Sequence, residues 1–258
     1  METLKISIVQ TPLTWECPEA NCNAIGSLLA ANTLGDVIIL PEMFTTGFSM
    51  NTQLIAESST EWALRWMEEQ ANKHNALLIG SCMFVDDNIY FNRLIAMYPG
   101  GRFQYYNKKH LFGLGKEAAC YKAGDSRLLI EYLGWRICPF ICYDLRFPVW
   151  CRNDSKLPYD ISIYVANWPA QRHFAWQQLL VARAIENQSY TLGCNIVGTD
   201  GADLLYIGGS KALDATGQLI AGLDDTTGIL TVSLSKSALT KTRIDLPFLN
   251  DAETFVLQ

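Results

Sequence analysis

The sequence predicts an α/β protein in which two stacked sheets carry helices on their outer faces. Short apolar runs alternate with helical patterns in the first third of the chain, and strand-like runs then crowd together with few helices between them. Strands separated by helices are typically parallel, whereas strands joined by tight turns are antiparallel. The sheets are therefore expected to be mixed.

The first four elements alternate between strand and helix. Apolar and amphipathic periodicity predicts, in turn, a strand, a helix, a strand and a helix over Leu4–Gln10, Glu19–Leu34, Asp36–Leu40 and Thr60–His74. In the second helix Trp62 and Trp66 lie one turn apart, which places both on the face expected to be buried. This alternation is the part of the sequence that favours parallel strands.

The rest of the chain is rich in strands. They are expected over Ala76–Phe84, Ile89–Tyr98, Arg102–Tyr106, Arg127–Tyr132, Trp135–Tyr143, Asp160–Ala166, Tyr190–Val197, Ser210–Asp214, Gln218–Ala221 and Ile229–Leu234. Pro99-Gly100-Gly101 and Leu133-Gly134 are turn sequences typical of antiparallel hairpins. One further helix is expected over His173–Gln188, where apolar residues recur at helical spacing.

Composition excludes several classes of protein. The chain has 258 residues, a net charge of −6 and 18% charged residues, against a usual share of about 25%. An acidic balance disfavours nucleic acid as a partner, and 49% apolar residues argue against disorder. No linker or internal repeat divides the sequence, so one domain over residues 1–258 is expected.

The N-terminal residues lack the features of a secretory signal, and no run approaches the ~18 consecutive apolar residues of a spanning helix. We therefore expect a cytoplasmic protein that does not enter membranes. In that compartment cysteines are reduced, so no disulfides are expected among Cys17, Cys22, Cys82, Cys120, Cys138, Cys142, Cys151 and Cys194. With three histidines and no CxxC pair, no metal site is expected either.

Three predicted strands end in a reactive side chain, and strand ends are where α/β proteins usually place their sites. Glu42 follows one apolar strand and is a candidate general base, although a solvated loop acid fits the same pattern. Cys142 closes another strand and is a candidate nucleophile. Lys108 and Lys109 end a third, and one of them is expected to point inward, favour the Cys142 thiolate and hold an oxyanion.

One alternative set of catalytic residues remains open from the sequence, and the other cysteines need an interpretation. A Cys–His pair would use His110, which lies beside the two lysines, but no cysteine-protease signature surrounds it, so His110 is expected to be structural. The other seven cysteines are expected to be buried and unreactive, as small core residues.

These motifs, in this order, resemble the Glu–Lys–Cys signature of the nitrilase superfamily of carbon–nitrogen hydrolases, and of its omega-amidase branch in particular. The signature is carried by the segments Leu40-Pro41-Glu42-Met43-Phe44, Lys108-x-His110-Leu111-Phe112 and Cys142-Tyr143-Asp144-Leu145-Arg146-Phe147-Pro148. Similarity continues through residues 165–169 and 183–188, so it spans most of the chain. The resemblance implies a four-layer α-β-β-α sandwich, a homodimer formed through a helical layer, and no metal or organic cofactor.

The same resemblance assigns roles to residues. It implies that Lys108 rather than Lys109 is the catalytic lysine, and that Glu117 is a second active-site glutamate rather than an exposed loop acid. The implied reaction is hydrolysis of a small-molecule carboxamide through a thioester on Cys142, with Glu42 moving the protons. The implied substrates are 2-oxoglutaramate and 2-oxosuccinamate.

Four residues are expected to contact the substrate. A guanidinium at Arg146, four residues after the nucleophile, suits two-pronged binding of a carboxylate at the far end of the amide. Pairing of Arg146 with Asp144 or another acid is an equally good interpretation. The remaining three residues are aromatic and are expected to wall the pocket: Phe44, Tyr143 and Trp168.

Three other functions compete with this interpretation. The same triad would serve nitrile or N-carbamoyl hydrolysis with a different pocket. A catalytically silent binder of a small acid is a second alternative, disfavoured because Glu42, Lys108 and Cys142 are all present. A redox protein built on the cysteines is the third, disfavoured by the missing CxxC.

Overall fold

A computed structural model describes residues 1–154 and 156–253 of the chain, with backbone alone for 53–59, and shows two mixed sheets of six strands. The first sheet has the order β14-β1-β2-β3-β4-β5. Its strands are β1 (Thr3–Gln10), β2 (Val37–Ile39), β3 (Leu77–Asp86), β4 (Ile89–Met97), β5 (Phe103–Asn107) and β14 (Gly228–Ser235). Strands β1, β2 and β3 are parallel, and the other pairs are antiparallel.

The second sheet has the order β13-β12-β9-β8-β7-β6 and contains its own parallel core, β7-β8-β9. Its strands are β6 (Ile130–Tyr132), β7 (Trp135–Ile141), β8 (Ile161–Val165), β9 (Tyr190–Cys194), β12 (Lys211–Leu213) and β13 (Leu219–Gly222). A separate two-stranded hairpin is formed by β10 (Val197–Thr199) and β11 (Leu205–Ile207). This hairpin belongs to neither large sheet.

In the described residues six α-helices lie outside the sheets or between strands: α1 (Pro18–Ala30), α2 (Thr52–His74), α3 (Glu117–Cys120), α4 (Pro148–Cys151), α5 (His173–Asn187) and α6 (Lys236–Asp245). Helices α1 and α2 cover the outer face of the first sheet, where Ile25 and Met67 pack in one cluster with Ile38. Helix α5 covers the second sheet. No helix among the described residues is long and apolar enough to cross a membrane.

The two sheets face each other across a shared core. Ile6 and Ile8 of β1 belong to the same buried cluster as Ile137 of β7 and Leu192 of β9, and Trp176 of α5 extends that cluster outward. Side chains that alternate along a strand go to opposite faces, so each sheet contributes to the core between the sheets and to a helix-facing core. The four layers, helix-sheet-sheet-helix, follow from this pattern, and the predicted sandwich is confirmed.

Most predicted elements are present, with differences at their ends. The helix predicted over Thr60–His74 begins earlier, at Thr52. The strand predicted over Tyr190–Val197 ends at Cys194, and Val197 starts the separate hairpin. The predicted hairpins at residues 99–101 and 133–134 join β4 to β5 and β6 to β7, as expected. Helix α6 was not anticipated, because its sequence is polar and short of apolar periodicity.

Candidate active site

Glu42 lies in the turn that follows β2 and is completely buried. Its Oε1 accepts hydrogen bonds from Lys108 Nζ and Asn92 Nδ2, both at 2.8 Å. Its Oε2 accepts one from the backbone N–H of Asn167 at 2.8 Å. Both oxygens are therefore held in place by donors from distant parts of the chain, which is unlike a solvated loop acid.

Lys108 follows β5 directly, and the antiparallel register of β4 with β5 places its N–H 3.0 Å from the carbonyl oxygen of Asn92. Its side chain is completely buried, whereas that of Lys109 is half-buried with Nζ 5.3 Å from the Trp150 ring. Burial lowers the pKa of Lys108, but the charges of Glu117 and Glu42 outweigh it and hold that pKa above its ordinary value. Lys108 is thus the inward lysine, and it is an ammonium.

Glu117 begins the short helix α3 and is also completely buried. Its carboxylate lies 2.9 Å from Lys108 Nζ and accepts a hydrogen bond of 2.6 Å from the backbone N–H of Phe112. Lys108 therefore lies between two carboxylates. This position fits the expectation of a second glutamate at the site.

Asn92 is a member of this cluster that the sequence analysis did not identify. Its Nδ2 donates to Glu42 at 2.8 Å and to Glu117 at 3.1 Å, so one amide joins the two carboxylates through the same Oε1 atoms that Lys108 contacts. The available signal was a polar residue within the apolar β4 sequence. That signal alone does not distinguish a buried polar partner from a residue facing solvent.

Cys142 lies at the end of β7, where the strand turns into the 3₁₀ turn Cys142–Arg146. Its backbone φ is +43°, in the left-handed region that a non-glycine residue adopts at some cost and that is frequent at functional sites. A helical turn leaves its first N–H groups without partners inside the turn. The N–H of Tyr143 is one of these.

Burial raises the pKa of the Cys142 thiol, and the Glu42 carboxylate raises it further, by more than the Lys108 ammonium lowers it. Lys108 favours the thiolate, since its charge lowers this pKa, but burial and Glu42 oppose it with larger effects. Glu42 acts on the pKa of the thiol both through its charge and as a hydrogen-bonding group. The resting pair is a thiol beside a carboxylate able to take its proton.

The Asp144 side chain holds the Cys142–Arg146 turn in place through its hydrogen bonds. Its Oδ2 accepts hydrogen bonds from the Ile141 N–H at 3.1 Å and the Tyr106 hydroxyl at 2.7 Å, and its Oδ1 lies 2.8 Å from Nδ1 of His110. The His110 ring stacks on Phe147 at 3.7 Å. His110 is thus engaged in holding the turn, in line with the structural role expected for it.

The pairing of Arg146 with Asp144 is wrong, because other groups occupy that carboxylate. The Arg146 guanidinium lies over the Trp168 ring, with Cζ 4.8 Å from the centroid. Among the side chains that the structure describes, in residues 1–52, 60–154 and 156–253, no acidic oxygen lies within 4.0 Å of it. Its polar edge is free for another partner.

The triad opens on one pocket of about 440 Å³. Its lining comprises Trp15, Phe48, Met50, Lys108, Phe112, Leu114, Gly115, Cys142, Tyr143, Arg146, Asn167, Trp168, Pro169, Arg172, Asp200, Ala202, Leu204 and Tyr206. Tyr143 and Trp168 are in this wall, as predicted. The prediction for Phe44 is wrong: its ring is completely buried on the helix side of the first sheet and packs 5.5 Å from the Trp66 ring.

The pocket is also lined by residues that no motif indicated. Asp200, Ala202, Leu204 and Tyr206 come from the β10–β11 hairpin, and Arg172 comes from the turn before α5. All eight cysteines are free. Within the described part of the chain, no group of three or more His, Cys, Asp or Glu side chains is arranged to hold a metal ion.

Comparison with known proteins finds relatives that match nearly the whole chain. The sequence model of the carbon-nitrogen hydrolase family matches residues 5–244. Over its full 258 residues the chain is 43% identical to the omega-amidase YafV of Escherichia coli K12, which it covers completely. It is 30% identical to the 2-oxoglutaramate amidase of Bacillus subtilis over 250 residues, which are 95% of this chain and 96% of that protein.

A solved structure agrees with the sequence relatives. The crystal structure of a CN-hydrolase superfamily protein from Xanthomonas campestris, with an arsenic adduct in its active site, covers 100% of both chains. The identity is 40% and the TM-score is 0.95.

Proposed function

This chain belongs to the carbon–nitrogen hydrolase family and is a hydrolase that acts on amides; from that premise we propose that it removes ammonia from the terminal carboxamide of short 2-oxo-dicarboxylic acid monoamides. The observation that carries the proposal is the contact of Glu42 with both Lys108 and Cys142 at the buried end of one pocket. A base, a cation and a nucleophile are what acyl transfer requires. The substrates we propose are 2-oxoglutaramate and 2-oxosuccinamate.

In the first step Cys142 Sγ forms a bond to the amide carbon, and its proton goes to Glu42. The negative charge moves to the carbonyl oxygen, which Lys108 and the N–H of Tyr143 stabilise. Donors that are already fixed cost no reorganisation when this charge develops. The raised pKa of the thiol suits this order of events, because the proton leaves only as the sulfur attacks.

In the second step the tetrahedral intermediate expels its nitrogen. Glu42 returns the proton to the departing NH₂ group, which leaves as ammonia, and the C–N bond electrons go with it. A thioester on Cys142 remains. One carboxylic acid thus serves first as base and then as acid.

In the third step water attacks the thioester carbon while Glu42 accepts a water proton. The second tetrahedral intermediate releases the sulfur, which takes the proton back from Glu42, and the free acid departs. The sum is amide plus water giving acid plus ammonia. Glu117 keeps Lys108 directed at the reacting oxygen, since it contacts Nζ at 2.9 Å.

The substrate proposal is supported by the pocket and by the relatives. Arg146 presents a guanidinium without an acidic partner, which suits an amide that carries a carboxylate at its other end. Tyr143 and Trp168 line the same pocket with aromatic surface that suits a short chain. Two of the relatives carry the names omega-amidase and 2-oxoglutaramate amidase.

We further propose that residues 1–258 form one catalytic domain and that the protein is a cytoplasmic homodimer. The pairing of β1 with β14, along eight residue pairs, joins the two ends of the chain in one sheet. Large apolar side chains are exposed on α5 and β13, namely Phe174, Ile185 and Leu219. Such a face on the outer helical layer favours association with a second copy.

The proposal is tested by ammonia release from 2-oxoglutaramate beside a panel of nitriles, N-carbamoyl amino acids and simple amides. Wild type and Cys142→Ala are assayed in parallel, with Cys120→Ala as the matched control because Cys120 is not among the pocket-lining residues. We expect turnover by wild type and the control, fastest with 2-oxoglutaramate, and none by Cys142→Ala. Full activity of Cys142→Ala would exclude the nucleophile, and a preference for a nitrile or carbamoyl compound would exclude the substrate.

A further inference from the structure

A second guanidinium lies in the pocket wall, at Arg172. It ends the 3₁₀ turn Ala170–Arg172 just before α5, and its Cζ lies 5.2 Å from the centroid of the Phe112 ring. Arg146 lies over Trp168 in the same way, at 4.8 Å. A guanidinium that stacks on a ring by its flat face keeps its N–H edge free for hydrogen bonds.

Neither cation is neutralised by the protein. Within the part of the chain that the structure describes, no carboxylate oxygen lies within 4.0 Å of either guanidinium. The one acid that lines the pocket, Asp200, is already occupied: its Oδ2 accepts from the Tyr206 hydroxyl at 2.8 Å, and its Oδ1 from the N–H groups of Ala202 and Leu204. The third cation of the wall, Lys108, is paired with two glutamates.

One side chain joins the two arginines. The face of the Trp168 indole supports Arg146, while its Nε1 donates a hydrogen bond of 2.8 Å to the backbone carbonyl of Arg172. The backbone of Trp168 is itself held by Asn195, whose Oδ1 accepts from the Trp168 N–H at 2.8 Å. Trp168 therefore links the support of the Arg146 guanidinium to the backbone that carries Arg172.

We infer that Arg172 is a second specificity residue, which together with Arg146 binds the 2-oxo acid end of the substrate. This inference rests on the proposed function. A 2-oxo carboxylate presents three acceptor oxygens on adjacent carbons, and a single guanidinium fork engages two acceptors side by side. Two forks without competing acids match such an end, whereas a neutral amide gains nothing from either of them.

Arg172→Gln tests this assignment through the separate effects on KM and kcat. The substitution removes a charge-assisted hydrogen bond between Arg172 and the substrate carboxylate, far from the reacting carbon, so substrate and transition state lose it equally. We therefore expect KM for 2-oxoglutaramate to rise about 10- to 100-fold and kcat to change less than about twofold. Arg172→Lys keeps the charge but not the fork and should lie between wild type and Arg172→Gln. With pentanamide, which has no acid, all variants should have the wild-type kcat/KM.

Arg102→Gln is the matched control. Arg102 also stacks on a ring, 4.1 Å from the centroid of Tyr98, but it is outside the pocket, so its loss should leave KM unchanged. With glutaric acid monoamide, which lacks the 2-oxo group, Arg172→Gln should reduce kcat/KM less than it does with 2-oxoglutaramate. Equal losses would mean that Arg172 binds the carboxylate alone, and would overturn the assignment to the 2-oxo acid end.

The two proposals fail in different ways. If wild type turns over 2-oxoglutaramate and Arg172→Gln has the same KM as Arg102→Gln, the role of Arg172 is excluded and the proposed function stands. If wild type turns over no amide with an acidic end, the proposed function is excluded, and with it this inference.

Discussion

At the Cys142 end of the pocket, Glu42, Lys108 and Glu117 are completely buried, and Lys108 is paired with both glutamates. Arg146 and Arg172 in the outer wall are half-buried and have no acidic partner among the side chains that the structure describes. The inner charges are held by hydrogen bonds of 2.6–3.1 Å from three other parts of the chain, at Asn92, Phe112 and Asn167. The outer charges rest on aromatic faces.

The contrast separates two tasks. Chemistry requires groups that are fixed before the substrate arrives, because reorganisation during the reaction raises the barrier. Recognition of an anion requires charges that the protein itself has left unpaired, since an internal partner would compete with the ligand. Substitutions at the inner end should therefore reduce both kcat and stability, and those in the outer wall should change KM with little effect on stability.

Lys108→Met should have the largest effect on both quantities. It leaves two buried carboxylates without their cation, which costs about 3–5 kcal/mol of unfolding free energy, and removal of the oxyanion contact lowers kcat by on the order of 10³-fold. Urea unfolding and ammonia release measure the two effects. Lys109→Met is the control, since Lys109 contacts Trp150 instead; an equal loss in both variants would contradict the assignment of Lys108.

Asn92→Ala should reduce kcat by about 10- to 100-fold, because the two glutamates lose the amide that holds them together. Hydrogen bonds to charged groups contribute about 1.5–3 kcal/mol, so stability should also fall by an amount of that order. Asn23→Ala, on the exposed face of α1, is the control. A change in KM alone would assign Asn92 to substrate recognition and would contradict the division between the buried catalytic groups and the outer wall.

Glu42→Gln should make the Cys142 thiol more acidic while abolishing turnover. The carboxylate raises the pKa of the thiol and Lys108 lowers it, so loss of the carboxylate charge moves the pKa down. Below its pKa a thiol reacts in proportion to its thiolate fraction, and one unit of pKa is tenfold.

The measurement is the rate at which iodoacetamide alkylates Cys142 at pH 7.5, with Glu131→Gln on the exposed strand β6 as control. We expect the rate to increase about tenfold in Glu42→Gln. In the wild type the alkylation rate should continue to increase with pH beyond 9, since the pKa of the Cys142 thiol is raised well above its ordinary value. An unchanged rate in Glu42→Gln would show that the carboxylate does not act on the sulfur.

Leu114→Ala should have the smallest effect. Leu114 lines the pocket mouth but is 87% exposed, so little apolar surface is lost on truncation. We expect kcat/KM within about twofold of wild type and stability within about 0.5 kcal/mol. Steady-state kinetics and thermal unfolding test this, and a loss of tenfold or more would show that the mouth takes part in recognition.

The reactive residues were predictable because each of them directly follows an apolar strand sequence. Apolar runs that close on Glu42, Lys108 and Cys142 are local patterns, and strand ends are where α/β proteins usually place their sites, so these three side chains were the candidates. The two-sheet architecture was also predictable, because alternation along each strand shows which faces are buried. Nothing in these inferences depended on a long-range contact.

Local patterns were insufficient where neighbours in space are far apart in the chain. The contact between Glu42 and Asn167 joins residues 125 positions apart, and Asn92 reaches Glu42 across 50 positions. Phe44 was misplaced for the same reason, since its aromatic character suits a pocket wall and a helix-facing core equally well. Arg172 belongs to a turn whose sequence shows no periodicity.

The sequence by itself thus determined the fold class, most of the strand segments and the candidate nucleophile, base and cation, because hydrophobic periodicity and residue chemistry are properties of short segments. The tertiary structure decided the surroundings of each charge. Lys108 lies between two glutamates, burial and Glu42 raise the pKa of the Cys142 thiol, and neither Arg146 nor Arg172 has an acidic partner among the described side chains. Burial and Coulomb interactions depend on distances through space, and these are set only when the two sheets pack together.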